Sequence, residues 1–131
     1  MFGEMIGELK GKVTGQRVVS SEGRIETSVQ EMGKLLGVEV NQTVTFWVEA
    51  RKNGLPYGEG LGNMMTKDGE TATWSAQALF KPLGQGAISG IGSIFVQTSS
   101  AKLERLNSIV VLFEVDVDGN GNTHAKFWEW K

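Results

Sequence analysis

The sequence of 131 residues contains no cysteine. Disulfide scaffolds, thiolate-ligated zinc, iron–sulfur clusters and thiol catalysis are therefore excluded. There is one histidine, His124, so a His-rich metal site has no ligands to draw on. Neither sign of charge dominates. Lys plus Arg number 13 against 15 Asp plus Glu, a net charge of −2, and a basic stripe for nucleic acid is missing. No apolar run approaches the ~20 residues that span a bilayer. Acids appear by Glu4, without a basic or apolar leader pattern. The sequence thus predicts a cytoplasmic protein with no nucleic-acid or membrane partner and no cofactor.

What the chain does have is glycine, 18 residues, about twice ordinary usage. Turn signals recur at short intervals: Ser21-Glu22-Gly23, Asn41-Gln42, Lys52-Asn53-Gly54, Lys67-Asp68-Gly69, Leu83-Gly84-Gln85-Gly86 and Asp118-Gly119-Asn120-Gly121. Such residues tolerate the positive φ of tight hairpins. The segments between them alternate in polarity or are rich in β-branched and aromatic residues, which predicts strands. Eight are expected, near 6–19, 24–40, 43–51, 57–66, 71–80, 87–98, 108–117 and 123–130. In the first, Gly7, Leu9, Gly11, Val13 and Gly15 form a small or apolar face, broken by Arg17. One short helix is expected over Ser100–Asn107, with Ser100 as N-cap and Leu103 and Leu106 facing inward.

Hairpin-short connections make sequence neighbours pair antiparallel, and closure removes the two free edges of an eight-stranded meander. The fold class is thus an all-β, eight-stranded, up-and-down antiparallel barrel, one domain over residues 1–131, with a two-sheet sandwich as the alternative. Glycines recurring along one strand face (Gly7, Gly11 and Gly15; Gly58, Gly60 and Gly62; Gly90 and Gly92) suit a strongly coiled small barrel. Trp47, the run Ile109–Phe113 and the pair Trp128 and Trp130 leave some strands apolar on both faces. That predicts a homo-oligomer, a dimer first, unless the short helix and the N-terminal arm cover those faces.

The stretches Tyr57–Gly62, Thr66–Glu70, Ala72–Trp74, Gln97–Ser100, Leu103–Asn107, Glu114–Gly119 and Trp128–Trp130 together resemble an uncharacterised family of small prokaryotic β-barrel proteins. These in turn look like allene-oxide-cyclase and calycin-like barrels. The resemblance spans about residues 10–131. It implies a fold and no activity, because no catalytic motif matches position by position.

Candidate site residues follow from the barrel. Tyr57 and Glu59 alternate with the glycines of the fourth strand. If their face is inward, Glu59 is a carboxylate in a restricted cavity, able to work as acid or base. Otherwise it meets solvent or pairs with a residue such as Arg17. Arg17 itself either binds an anion or carboxylate inside or sits at an exposed strand end. Glu114 is a second carboxylate, and Trp74 a candidate wall of an apolar pocket. Asp116, Asp118 and Asn120 match the start of a calcium-binding loop. Position twelve of that loop is Phe127 rather than a bidentate Glu, so a polar hairpin turn is the preferred reading. Three functions fit: a barrel binding a small apolar ligand without catalysis, a structural homo-oligomer with a filled core, or a cyclase- or isomerase-type enzyme using an interior carboxylate.

Overall fold

The computed structural model describes residues 2–131. Eight strands run in chain order, β1 Phe2–Val18, β2 Ile25–Leu35, β3 Val38–Glu49, β4 Tyr57–Thr66, β5 Thr71–Gly84, β6 Ala87–Thr98, β7 Val111–Val117 and β8 Asn122–Trp130. Each pairs antiparallel with the next, and β1 pairs with β8, so the sheet closes into a barrel. The sandwich alternative is thereby removed. The helical piece, Ala101–Ser108, is a 3-10 helix between β6 and β7.

One turn lies elsewhere than expected. The chain reverses at Leu36-Gly37, both with positive φ (53° and 76°). Asn41-Gln42 sits inside β3, with Gln42 opposite Glu31 of β2. A leucine in the left-handed region is a poor turn signal, whereas Asn41 is a good one that this chain does not use.

A second departure concerns β1. Its register with β2 slips between Val13 and Gly15, so Thr14 is an extra residue. Side chains alternate along a strand, and one inserted residue reverses that alternation. Leu9 and Val13 pair within the inward series, but Arg17 beyond the bulge turns outward.

The 3-10 helix seals one end of the barrel. Leu103 and Leu106 are fully buried and pack with Ile6, Leu9, Leu35, Val40, Met64, Val111 and Phe127. Arg105 ties the helix to the buried Glu129 and to Glu4. Asn107 donates to the Thr98 carbonyl at 2.8 Å. Ser100 precedes the helix as expected, but its hydroxyl donates to Glu70 at 2.7 Å rather than capping a helical N–H. The opposite end carries only the hairpins β1–β2, β3–β4, β5–β6 and β7–β8.

Candidate functional site

Above the plug, the interior is not filled. A cavity of about 70 Å³ lies among Val29, Val44, Phe46, Phe80, Phe113 and Phe127. One ordered water needs roughly 10–15 Å³ measured in this way, so several water-sized positions fit. The inward Trp74, Ala76 and Val115 also line it, and like Phe113 they are only half-buried. Residues on the inner face of a packed barrel should be closed off from solvent. Their partial exposure shows that the interior is incompletely packed around them.

Two acids line this cavity, Glu31 and Glu59, and the one buried on its inner face is Glu31, 5% exposed. It belongs to a hydrogen-bonded row. The Thr123 hydroxyl donates to Glu31 Oε2 at 2.9 Å, and Gln42 Nε2 donates to Oε1 at 2.8 Å. The Gln42 carbonyl oxygen in turn accepts from the Trp74 indole N–H at 2.9 Å. These four residues stand on β8, β2, β3 and β5. The row therefore skips β1 and β4, with Gly11 on the first and, on the second, Gly62 opposite Trp74, while Gln42 itself pairs with Met64. Gly11 of β1 lies between Glu31 and Thr123 in the registers of both neighbours. A Cβ there would meet the Gln30 carbonyl oxygen at 1.9 Å. Gly62 of β4 pairs with Trp74, and a Cβ there would meet the indole ring at 2.0 Å. Gly62 leaves room for the indole to reach Gln42 two strands away, whereas Gly11 lets the β2 backbone come close to β1.

Burial pushes the Glu31 carboxyl above the ordinary glutamate range, opposed by the hydrogen bonds from Gln42 and Thr123. The two donors occupy one position on each oxygen, and a carboxylate can accept about four bonds. The cavity wall contains no Lys, Arg or His among the described residues. The carboxyl is hydrogen-bonded but has no cationic partner inside.

The candidate residues distribute as follows. Trp74 is inside and part of the row. Glu59 borders the cavity beside Gly58 and Gly60, but it is exposed and its carboxylate accepts from the Tyr57 hydroxyl at 2.6 Å, while Gln77 donates to that hydroxyl at 3.0 Å. The inward face of β4 belongs to Gly58, Gly60 and Gly62, and that places Tyr57 and Glu59 on the other. Accepting from the phenol, Glu59 raises the Tyr57 pKa. Arg17 is outside and pairs with Glu26 at 3.0 Å, its side chain mostly in solvent. Glu114 faces out opposite Lys126. An interior carboxylate at Glu59 or Glu114 is thus corrected to one at Glu31.

Asp116, Asp118 and Asn120 form the β7–β8 hairpin. Asp118 Oδ1 accepts the backbone N–H groups of Asn120 and Asn122, both at 2.9 Å, and Oδ2 accepts from the Asn122 side chain at 3.0 Å. These bonds hold its carboxyl below the usual aspartate range. The Asp118 carboxylate is thus tied into the turn. His124 bonds to Glu8 on the outer face.

No protein-family model and no curated protein matches the sequence. Solved structures do match its fold. A conserved protein of unknown function from Rhodopseudomonas palustris superposes with a TM-score of 0.75 at 10% identity, covering 98% of this chain and 97% of its own. A protein of unknown function from Clostridium acetobutylicum gives 0.80 at 10% identity, with 96% of each chain covered. A beta-barrel like protein from Acinetobacter baumannii gives 0.72 at 12%, covering 97% and 94%. The resemblance to uncharacterised prokaryotic barrels agrees with these neighbours, and at such identities the likeness carries the fold alone. No helix among the described residues is long and apolar enough to cross a membrane.

Proposed function

We propose that the protein is a non-catalytic, calycin-like barrel that takes a small, largely apolar molecule into its interior, in the cytoplasm. The observation that carries this reading is the cavity itself, walled by aromatic side chains and provided with one fixed polar row, Thr123–Glu31–Gln42–Trp74. Ligand sites typically combine an apolar wall with few convergent polar groups. The row is already held by its own hydrogen bonds before any ligand arrives, so it costs little to organise. Native mass spectrometry, followed by the same spectrum under denaturing conditions, tests the proposal. A small mass retained in the native state and lost on denaturation is expected when the protein is purified from a source containing its ligand. Failure of every member of a small amphiphile set to add to the native mass would refute it.

A second reading, a homodimer, is favoured by the outer surface. Leu61 and Phe95, 66% and 56% exposed, flank Ser75 across β4, β5 and β6. Leu79 and Ile91 pair on the same outer face beyond Gln77 and Ser93. The faces expected to form the interface are partly covered within the chain. Arg24 stacks on Trp47 at 4.3 Å, and Phe2 stacks on Trp128 at 5.2 Å. A second copy would accordingly sit on the Leu61–Phe95 face, and the native spectrum reads the subunit count at the same time.

A further inference from the structure

We infer that the interior ligand carries a protonated amine, and that Glu31 is the group that selects it. This rests on the proposed small-molecule site and deepens it. Three features converge on the charge of the ligand. The cavity contains a buried carboxyl with acceptor positions left and no cationic side chain to satisfy them. Both of its protein partners are neutral donors, Gln42 and Thr123, which orient the carboxyl without neutralising it. Five aromatic rings, Phe46, Trp74, Phe80, Phe113 and Phe127, wall the same space, and aromatic faces attract cations. A buried carboxylate lacking a counter-ion is unfavourable in the empty barrel. A cationic ligand supplies the missing charge, whereas a neutral ligand leaves it unmatched and an anionic one is repelled. The size of the cavity, a few water-sized positions, restricts the ligand to a short alkyl or similar ammonium.

The test compares n-propylammonium with 1-propanol, which have the same heavy-atom skeleton length. The readout is the Trp74 indole N–H resonance, one hydrogen bond removed from Gln42. Titration of the whole protein at neutral pH and low salt is expected to move that resonance saturably with the ammonium, at an affinity at least ~10-fold above that of the alcohol, about 1.4 kcal/mol. Glu31→Gln keeps the shape and both hydrogen-bonded neighbours, and should bring the ratio of affinities close to one. Should that variant not fold, Phe113→Leu provides the second arm, because loss of an aromatic wall should weaken the ammonium more than the alcohol. Propanol binding as tightly as the ammonium overturns the amine assignment and leaves the interior site intact. An ammonium preference that survives Glu31→Gln unchanged removes Glu31 as the selecting group. Neither probe moving Trp74 at tens of millimolar sinks the interior site together with its ligand class.

Discussion

Replacing Gly62 by alanine tests how the interior row is built. The new methyl group would lie 2.0 to 2.3 Å from three atoms of the Trp74 indole, far inside van der Waals contact. The strand cannot retreat, because β4 is paired on both sides, so the indole must turn away. Overpacking of this kind costs about 1–3 kcal/mol. Moving the indole also breaks its bond to the Gln42 carbonyl, and leaving a buried acceptor unpaired costs roughly another 1–3 kcal/mol. The expected loss is thus about 2–6 kcal/mol, a large share of an ordinary domain's stability of about 5–15 kcal/mol. Urea unfolding followed by tryptophan fluorescence measures it, and hydrogen exchange of the Trp74 indole N–H reports the bond directly. Gly15→Ala is the control. Its Cβ would meet nothing within 4 Å, so it should be neutral or stabilising by about 0.4–1 kcal/mol. A Gly62→Ala loss under about 1 kcal/mol, with the Trp74 N–H still slow to exchange, would refute the view that this glycine exists to let Trp74 cross β4.

Three further outcomes are expected. The folded-state pKa of Glu31 lies above the ordinary value of 4.5, so its contribution to stability is best at low pH and is lost as pH rises from the unfolded to the folded value. Glu31→Gln should therefore gain stability relative to the wild type as pH rises above the ordinary glutamate value; urea midpoints whose difference does not change with pH would contradict this. Leu106→Ala, at a fully buried position under the barrel end, should cost about 2–5 kcal/mol in the same assay, and a loss below about 1 kcal/mol would mean the helix is not a plug. Millimolar calcium should leave the amide resonances of residues 118–122 where they are, since Asp118 is committed to the Asn120 and Asn122 N–H groups; saturable shifts there would restore the cation-loop reading.

The barrel was legible because its signals are local. Hairpin residues, period-two alternation and glycines on one face of β1 and β4 each follow from short stretches of chain. The polar row was not legible, and the reason can be traced to single residues. Asn41-Gln42 has the composition of a turn, but the reversal occurs at Leu36-Gly37. Placing the turn at Asn41 removes Gln42 from the interior and leaves Glu31 without its neighbour. Glu31 still gave a signal, as the one acid in the series Thr27, Val29, Glu31, Gly33 and Leu35, whose partners across the strand are Glu26, Ser28, Gln30, Met32 and Lys34. Arg17 misled in the opposite sense, because one inserted residue at Thr14 reverses the strand after Val13, and no pattern in the sequence marks a bulge there. Trp74 was a candidate only as an aromatic able to wall a pocket, and it lies on the cavity lining.

The order in which the row's members occur along the chain has a further consequence. Gln42 and Trp74 are 32 residues apart, but Glu31 and Thr123 are separated by 92. Contacts of such long range pay their loop-closure entropy late, after local hairpins have formed. Glu31, Gln42 and Trp74 can meet in a partly built, open sheet while Thr123 is still absent. During synthesis the last member also leaves the ribosome last. The complete polar row therefore comes into being with the β1–β8 seam and dissolves with it. A small molecule held there acts on the seam as well as on the cavity: it should slow the opening of the barrel more than it speeds the assembly of the strands.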